Sequence, residues 1–91
     1  MNEIRKICII GAGNMGGAIA GGIAGDTGFP RQNLTVTART QETLDRIGSL
    51  YPGISTTLNN SAAVHDADLA IIAVKPWQAE AIAEEIRQSL D

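Results

Sequence analysis

A chain of 91 residues, 44% of them hydrophobic and one a cysteine, is sized for a single small domain and has no intramolecular disulfide framework open to it. Ten acidic against seven basic residues leave a net charge of −3, and the only adjacent basic pair is Arg5-Lys6. That excludes the phosphate-neutralising surface a nucleic-acid binder needs.

Ile7 to Ile10 is a short apolar run ending at glycine, which predicts a strand buried on both faces. Gly11, Gly13 and Gly16 follow with G-x-G-x-x-G spacing. The first allows a tight turn, the second lets the backbone approach a pyrophosphate, and the third lets a helix pack closely. That helix is predicted over Asn14 to Ala24, with Met15, Ile19 and Ile23 on one face. Its first amides and the positive end of its dipole face an anion site. Two other readings compete for this stretch. Gly17-x-x-x-Gly21-x-x-x-Gly25 resembles a membrane dimer motif, but each interior glycine costs a helix ~1 kcal/mol relative to Ala, and no large aliphatic run supports insertion. A glycine-rich packing helix with no ligand is the second, and the fingerprint alone does not exclude it.

Gly25 to Gly28 reads as a helix stop and Phe29-Pro30 as a turn. Leu34 to Ala38 alternates apolar and Thr residues, a second strand. Thr40 is a suitable N-cap for a helix from Gln41 to about Ser49, with Leu44 and Ile47 on its apolar side. Tyr51-Pro52-Gly53 breaks it, and Ile54 to Thr57 is a short third strand. Asn60 is placed to cap a brief helix ending near His65, and Asp66 to Asp68 turns the chain into Leu69 to Val74, a second wholly apolar strand. Pro76 suits the first position of a last helix, whose apolar face is Ala79, Ile82, Ala83, Ile86 and Leu90.

Four strands alternating with helices predict an α/β fold, a doubly wound parallel sheet with helices on both faces. The two wholly apolar strands are expected side by side at its centre, in strand order 3-2-1-4. Ligands in such sheets bind at the carboxyl ends of the strands, at the switch point. The glycine turn, Arg39, Asn60 and Lys75 all fall on that rim.

Where binders of NAD carry a carboxylate for the ribose hydroxyls, at the end of strand two, this chain has Ala38-Arg39-Thr40. A guanidinium there attracts the 2′-phosphate of NADP, although a solvated surface arginine is the plainer alternative. Asn60 either caps its helix or also binds a ribose. Lys75 is either a surface lysine or, with Val74, lines the nicotinamide end. Cys8 is expected to be a small buried residue, His65 structural, and Asp66 and Asp68 a solvated turn. No residue set suits acid–base or nucleophilic catalysis, so no catalytic residue and no metal site is assigned.

The segments IGAGNMGGAIAGGI (Ile10 to Ile23), Arg39-Thr40 and above all ADLAIIAVKP (Ala67 to Pro76) resemble the N-terminal, Rossmann-like domain of the pyrroline-5-carboxylate reductases. The resemblance spans essentially the whole chain. It implies reduction of the cyclic imine 1-pyrroline-5-carboxylate to proline by hydride transfer from NADPH. It also implies a pyrophosphate on Ile10, Gly11, Ala12, Gly13, Asn14, Met15 and Gly16, and the 2′-phosphate on Ala38, Arg39 and Thr40. Asn60 would contact the cofactor, and Ala73, Val74, Lys75 and Pro76 would run along its nicotinamide half. Many members have Asn or Ser where this chain has Ala38, so one side-chain hydrogen bond is expected to be missing. Members continue into further sheet and a helical domain that forms the dimer and holds the imine acid. The 91 residues are therefore expected to be the cofactor-binding domain of a cytoplasmic homo-oligomer, inactive alone, with a small-molecule substrate and neither nucleic acid nor membrane as partner. Met1 to Lys6 lead straight into the first strand with no cleavage-type pattern, in keeping with that location. Two other functions fit the same residues: the cofactor half of another NADP-dependent reductase, hydroxyacid or deazaflavin-linked, and a non-enzymatic dinucleotide-binding module.

Overall fold

The structure, a computed structural model, describes residues 4–11, 13–25, 29–65, 67–74 and 76–87, and not the side chains at 14, 15, 76 and 77. Of the stop expected over Gly25 to Gly28, Gly25 is the C-cap of α1; the rest of it, with Ala12, Asp66, Lys75 and Leu90, lies outside the described residues. In chain order the elements are β1 (Ile7–Ile10), α1 (Asn14–Ala24), a 3-10 turn (Arg31–Asn33), β2 (Leu34–Thr37), α2 (Gln41–Leu50), β3 (Ser55–Thr57), α3 (Asn60–His65), β4 (Leu69–Ile72) and α4 (Pro76–Ile86). The strands are parallel in the order β3-β2-β1-β4. This is the expected Rossmann-like sheet and order, with β1 and β4 side by side.

Period-two alternation sends neighbouring residues to opposite faces, and each face has its own core. Ile9, Leu34 and Val36 meet Ala20 and Ala24 of α1 and Ile47 of α2. Cys8 and Ile10 meet Val64 of α3 and Ile86 of α4. Burial pushes the Cys8 thiol pKa up, in keeping with its place as a core residue. Among the described positions of α1, Gly16, Ala20 and Ala24 are buried, with Ile19 and Ile23 partly buried and packed on the same core. Small residues at Ala20 and Ala24 permit a close approach to the sheet, and Ile19 and Ile23, expected on one face, pack against the same core.

Several boundaries differ from expectation. β2 and β3 each lose one residue, Ala38 and Ile54 respectively, and α2 runs on to Leu50. β4 stops at Ile72, although Ala73 N–H still donates to Ile10 O at 2.9 Å before the chain turns away. β4 is not central: it pairs with β1 alone among the described residues, and Leu69 and Ile72 are 39% and 41% exposed. On α4, Ile82 and Ile86 face the core, but Ala83 is exposed. The 3-10 turn was not anticipated. Pro30 caps it by accepting from Asn33 N–H at 3.0 Å. Arg31 then donates from Nε to Ala24 O at 3.1 Å and from Nη1 to Pro52 O at 3.0 Å, tying the end of α1 to the turn after α2.

Candidate functional site

The carboxyl ends of four parallel strands deliver the glycine turn, Arg39, Asn60 and the Ala73-Val74 segment to one rim of the sheet. Gly11 adopts φ +90°, a conformation L side chains rarely take, and an added Cβ would strike Val74 Cγ1. Gly11 N–H donates to Thr37 Oγ1 at 3.2 Å, and Gly11 O accepts from Gly13 N–H at 2.9 Å. A Cβ on Gly16 would run into the Gly11 carbonyl, with Ala73 Cβ also close, at 3.5 Å. Gly16 therefore seats the helix on the turn itself, more than on the sheet.

Gly13 is the N-cap of α1 and offers no side chain to it; a Cβ there would meet nothing within 4 Å. The amide of Gly17 bonds Gly13 O at 2.8 Å, so the amides of Asn14, Met15 and Gly16 begin the helix without intrahelical partners. Together they form a donor cluster at the positive end of an 11-residue helix, beneath open space. A depression of about 220 Å³ adjoins it through Gly13, lined also by Arg46, Leu50 and Tyr51. A larger depression of about 360 Å³ lies away from the turn, among Gln32, Thr35 and Ser55 on the β2–β3 side.

The remaining expected residues divide into those facing the rim and those spent on the fold. Ile10 is fully buried in the core beneath α3 and α4, so only its backbone borders the turn. Ala73 is buried under α1, Val74 packs on Gly11, and Ala38 packs half-buried on the core of α1 and α2. Thr40 caps α2 as expected, its Oγ1 accepting from Thr43 N–H at 3.3 Å. Arg39 is exposed and makes no hydrogen bond or ion pair among the described residues. The cap of α3 is Asn59, not Asn60: Asn59 Oδ1 accepts from Ala62 N–H at 3.0 Å, and its own N–H donates to Thr57 Oγ1 at 3.1 Å. Asn60 opens the helix instead, half-buried and with no hydrogen bond from its side chain among the described residues. Pro76 is the first residue of α4, as expected. Ala12 and Lys75, and the side chains of Asn14 and Met15, lie outside the described residues. Thr37 and Arg46 were not singled out from sequence. The Thr37 signal was its place as last residue of β2, on the same face as Thr35; Arg46 carries none.

Among the described residues no group of three His, Cys, Asp or Glu side chains suits a metal ion, and no helix is long and apolar enough to cross a membrane.

A parallel sheet in this order, with a glycine turn leading from β1 into an uncapped helix, defines a Rossmann-like dinucleotide-fold domain. Residues 6–91 match the family described as NADP oxidoreductase coenzyme F420-dependent, and the chain belongs to that family. Among curated relatives it is 40% identical over 74 residues to the pyrroline-5-carboxylate reductase of Vibrio alginolyticus, covering 81% of this chain and 26% of that protein. It is 38% identical over 77 residues to pyrroline-5-carboxylate reductase 1 of Bacillus subtilis, covering 84% and 26%. A solved pyrroline-5-carboxylate reductase from Coxiella burnetii superposes with a TM-score of 0.85 at 31% identity, over 94% of this chain and 31% of that one. Pyrroline carboxylate reductase from Plasmodium falciparum, solved with NADP bound, gives 0.77 at 25% identity, over 98% and 30%. The resemblance read from the sequence is borne out, and the chain spans between 26% and 31% of the length of these relatives.

Proposed function

We propose that this chain is the NADP(H)-binding part of a cytoplasmic, homo-oligomeric pyrroline-5-carboxylate reductase, which reduces a cyclic imine acid to proline. The observation that carries the reading is the start of α1: amides without intrahelical partners under an open Gly13, on a turn set by Gly11 and Gly16. Such a cluster suits a pyrophosphate, and family membership and the named relatives supply the reaction. In this reading the amides of Asn14, Met15 and Gly16 hold the pyrophosphate, and Arg39, exposed and unengaged among the described residues, meets the 2′-phosphate. Asn60 contacts the cofactor because Asn59 has taken over the capping. Ala73, Val74, Lys75 and Pro76 border the nicotinamide half. When bound, the dinucleotide supplies the hydride; the chain's residues bind and orient it.

The test is to titrate NADPH and NADH into the native chain and into Arg39→Ala. A charge-assisted hydrogen bond at an exposed rim is worth about tenfold in affinity, so the native chain should prefer NADPH by roughly that factor. Arg39→Ala should lose most of the preference and keep its NADH affinity. Equal native affinities, or an unchanged preference in the variant, remove Arg39 from the site. The chain alone should show no substrate-dependent NADPH oxidation, since no group in it is assigned to the imine acid. The family description also supports a second reading, a reductase exchanging hydride between NADP and coenzyme F420. Assaying the native gene product with each substrate separates the two.

A further inference from the structure

We infer that Thr37 is a positioning residue for the glycine turn, its hydroxyl fixing the Gly11 amide so that the start of α1 stays presented to a dinucleotide's pyrophosphate. The inference rests on the nucleotide-binding reading above. Thr37 is 1% exposed, and a buried hydroxyl costs stability unless it is bonded. A valine would suit a strand equally well, so the hydroxyl has a local reason to be there. The last paired residues of β1 and β2 are Ile9 and Val36. Two residues past Ile9, Gly11 turns out of the ladder at φ +90°, and its N–H takes Oγ1 of Thr37, one residue past Val36, as acceptor at 3.2 Å. The carbonyl of the same glycine accepts from Gly13 N–H at 2.9 Å and lies against Gly16. One hydroxyl thus fixes the turn at Gly11, and through it the placement of Gly13 and Gly16. Thr37 also directly precedes Ala38-Arg39-Thr40, so the same residue sets the two halves of the site in register.

A turn effect and a 2′-phosphate effect have different signatures. Losing the Thr37 bond disturbs the pyrophosphate position, which NADPH and NADH share. Thr37→Val should therefore weaken both nucleotides alike, roughly 3- to 10-fold by calorimetric titration, with the NADPH-to-NADH ratio unchanged. Thr37→Ser, which keeps the acceptor, should restore both affinities. Hydrogen exchange at the Gly11 amide should be faster in the valine variant and near native in the serine variant. Native binding with unaltered affinity in Thr37→Val overturns the inference alone, as does a loss confined to NADPH or a serine variant no better than valine. A native chain that binds neither nucleotide overturns the nucleotide reading and this inference with it. Should Thr37→Val fail to fold, Thr37→Cys replaces it, since cysteine is close in size to serine and a much weaker acceptor.

Discussion

β1 and β4 carry the same kind of sequence, ICII and LAII, and meet opposite fates. Cys8, Ile9 and Ile10 are fully buried, whereas β4 leaves Leu69 and Ile72 about two-fifths exposed. β1 lies between β2 and β4 and under helices on both faces; β4 pairs on one side only among the described residues. An all-apolar strand announces that its faces want covering, and carries no information on whether both of its edges are paired.

The comparison is sharpened first by truncating one residue from each strand. Ile9→Ala should cost ~2–5 kcal/mol, a large share of the stability of a small domain. Ile72→Ala should cost less than ~1 kcal/mol, because much of that side chain is already in water. Denaturant midpoints check both, and equal losses would show β4 to be as enclosed as β1. A smaller effect concerns the free edge, since exposed apolar edge strands invite pairing with another chain. The native chain is expected to self-associate as its concentration rises, and Ile72→Lys to stay monomeric with nearly native stability. A native chain monomeric throughout by sedimentation would break the contrast.

The smallest effect lies where the two strands begin. Asp68 Oδ2 accepts from Arg5 N–H at 2.8 Å and Lys6 N–H at 3.0 Å, and Asp68 N–H donates to Lys6 O at 2.8 Å. The two amides bonded to the carboxylate hold its pKa below the usual aspartate value. In the acid window the unfolded chain then binds the extra proton more readily. The stabilisation is complete above the ordinary aspartate pKa of about 3.9 and is lost as the pH falls through the lower, folded value. Asp68→Asn should flatten that acid limb of the stability curve; an unchanged limb would assign the acid sensitivity to other carboxylates.

Period and punctuation made most of the fold legible. Ile7 to Ile10, the glycines, Thr40 and Pro76 mark boundaries by local chemistry, and local chemistry can be read from a string. The misses are tertiary. Choosing between Asn59 and Asn60 as the cap depends on where β3 stops, one hydrogen bond from Thr57. Among the described positions of α1 the buried ones are Gly16, Ala20 and Ala24, and the contact of Gly16 with the Gly11 carbonyl is a tertiary one that side-chain size alone did not reveal. Thr37 went unseen because its partner lies 26 residues back, and a threonine in a strand looks like ordinary β-propensity. On the rim, the glycine spacing and the exposed position of Arg39 were legible, as was the burial of Ile10 and Ala73 within apolar strands; that this burial leaves Ile10 only its backbone at the turn was not.

Gly16 resting on the carbonyl of Gly11 has a kinetic corollary. Gly11 and the helix start are already in contact through Gly16 and Gly13, so these contacts are made when the chain folds and not when a ligand binds. An anion arriving there meets donors in place and has no loop rearrangement to wait for. Stopped-flow association should accordingly be a single phase, with a rate rising linearly in ligand concentration and no plateau.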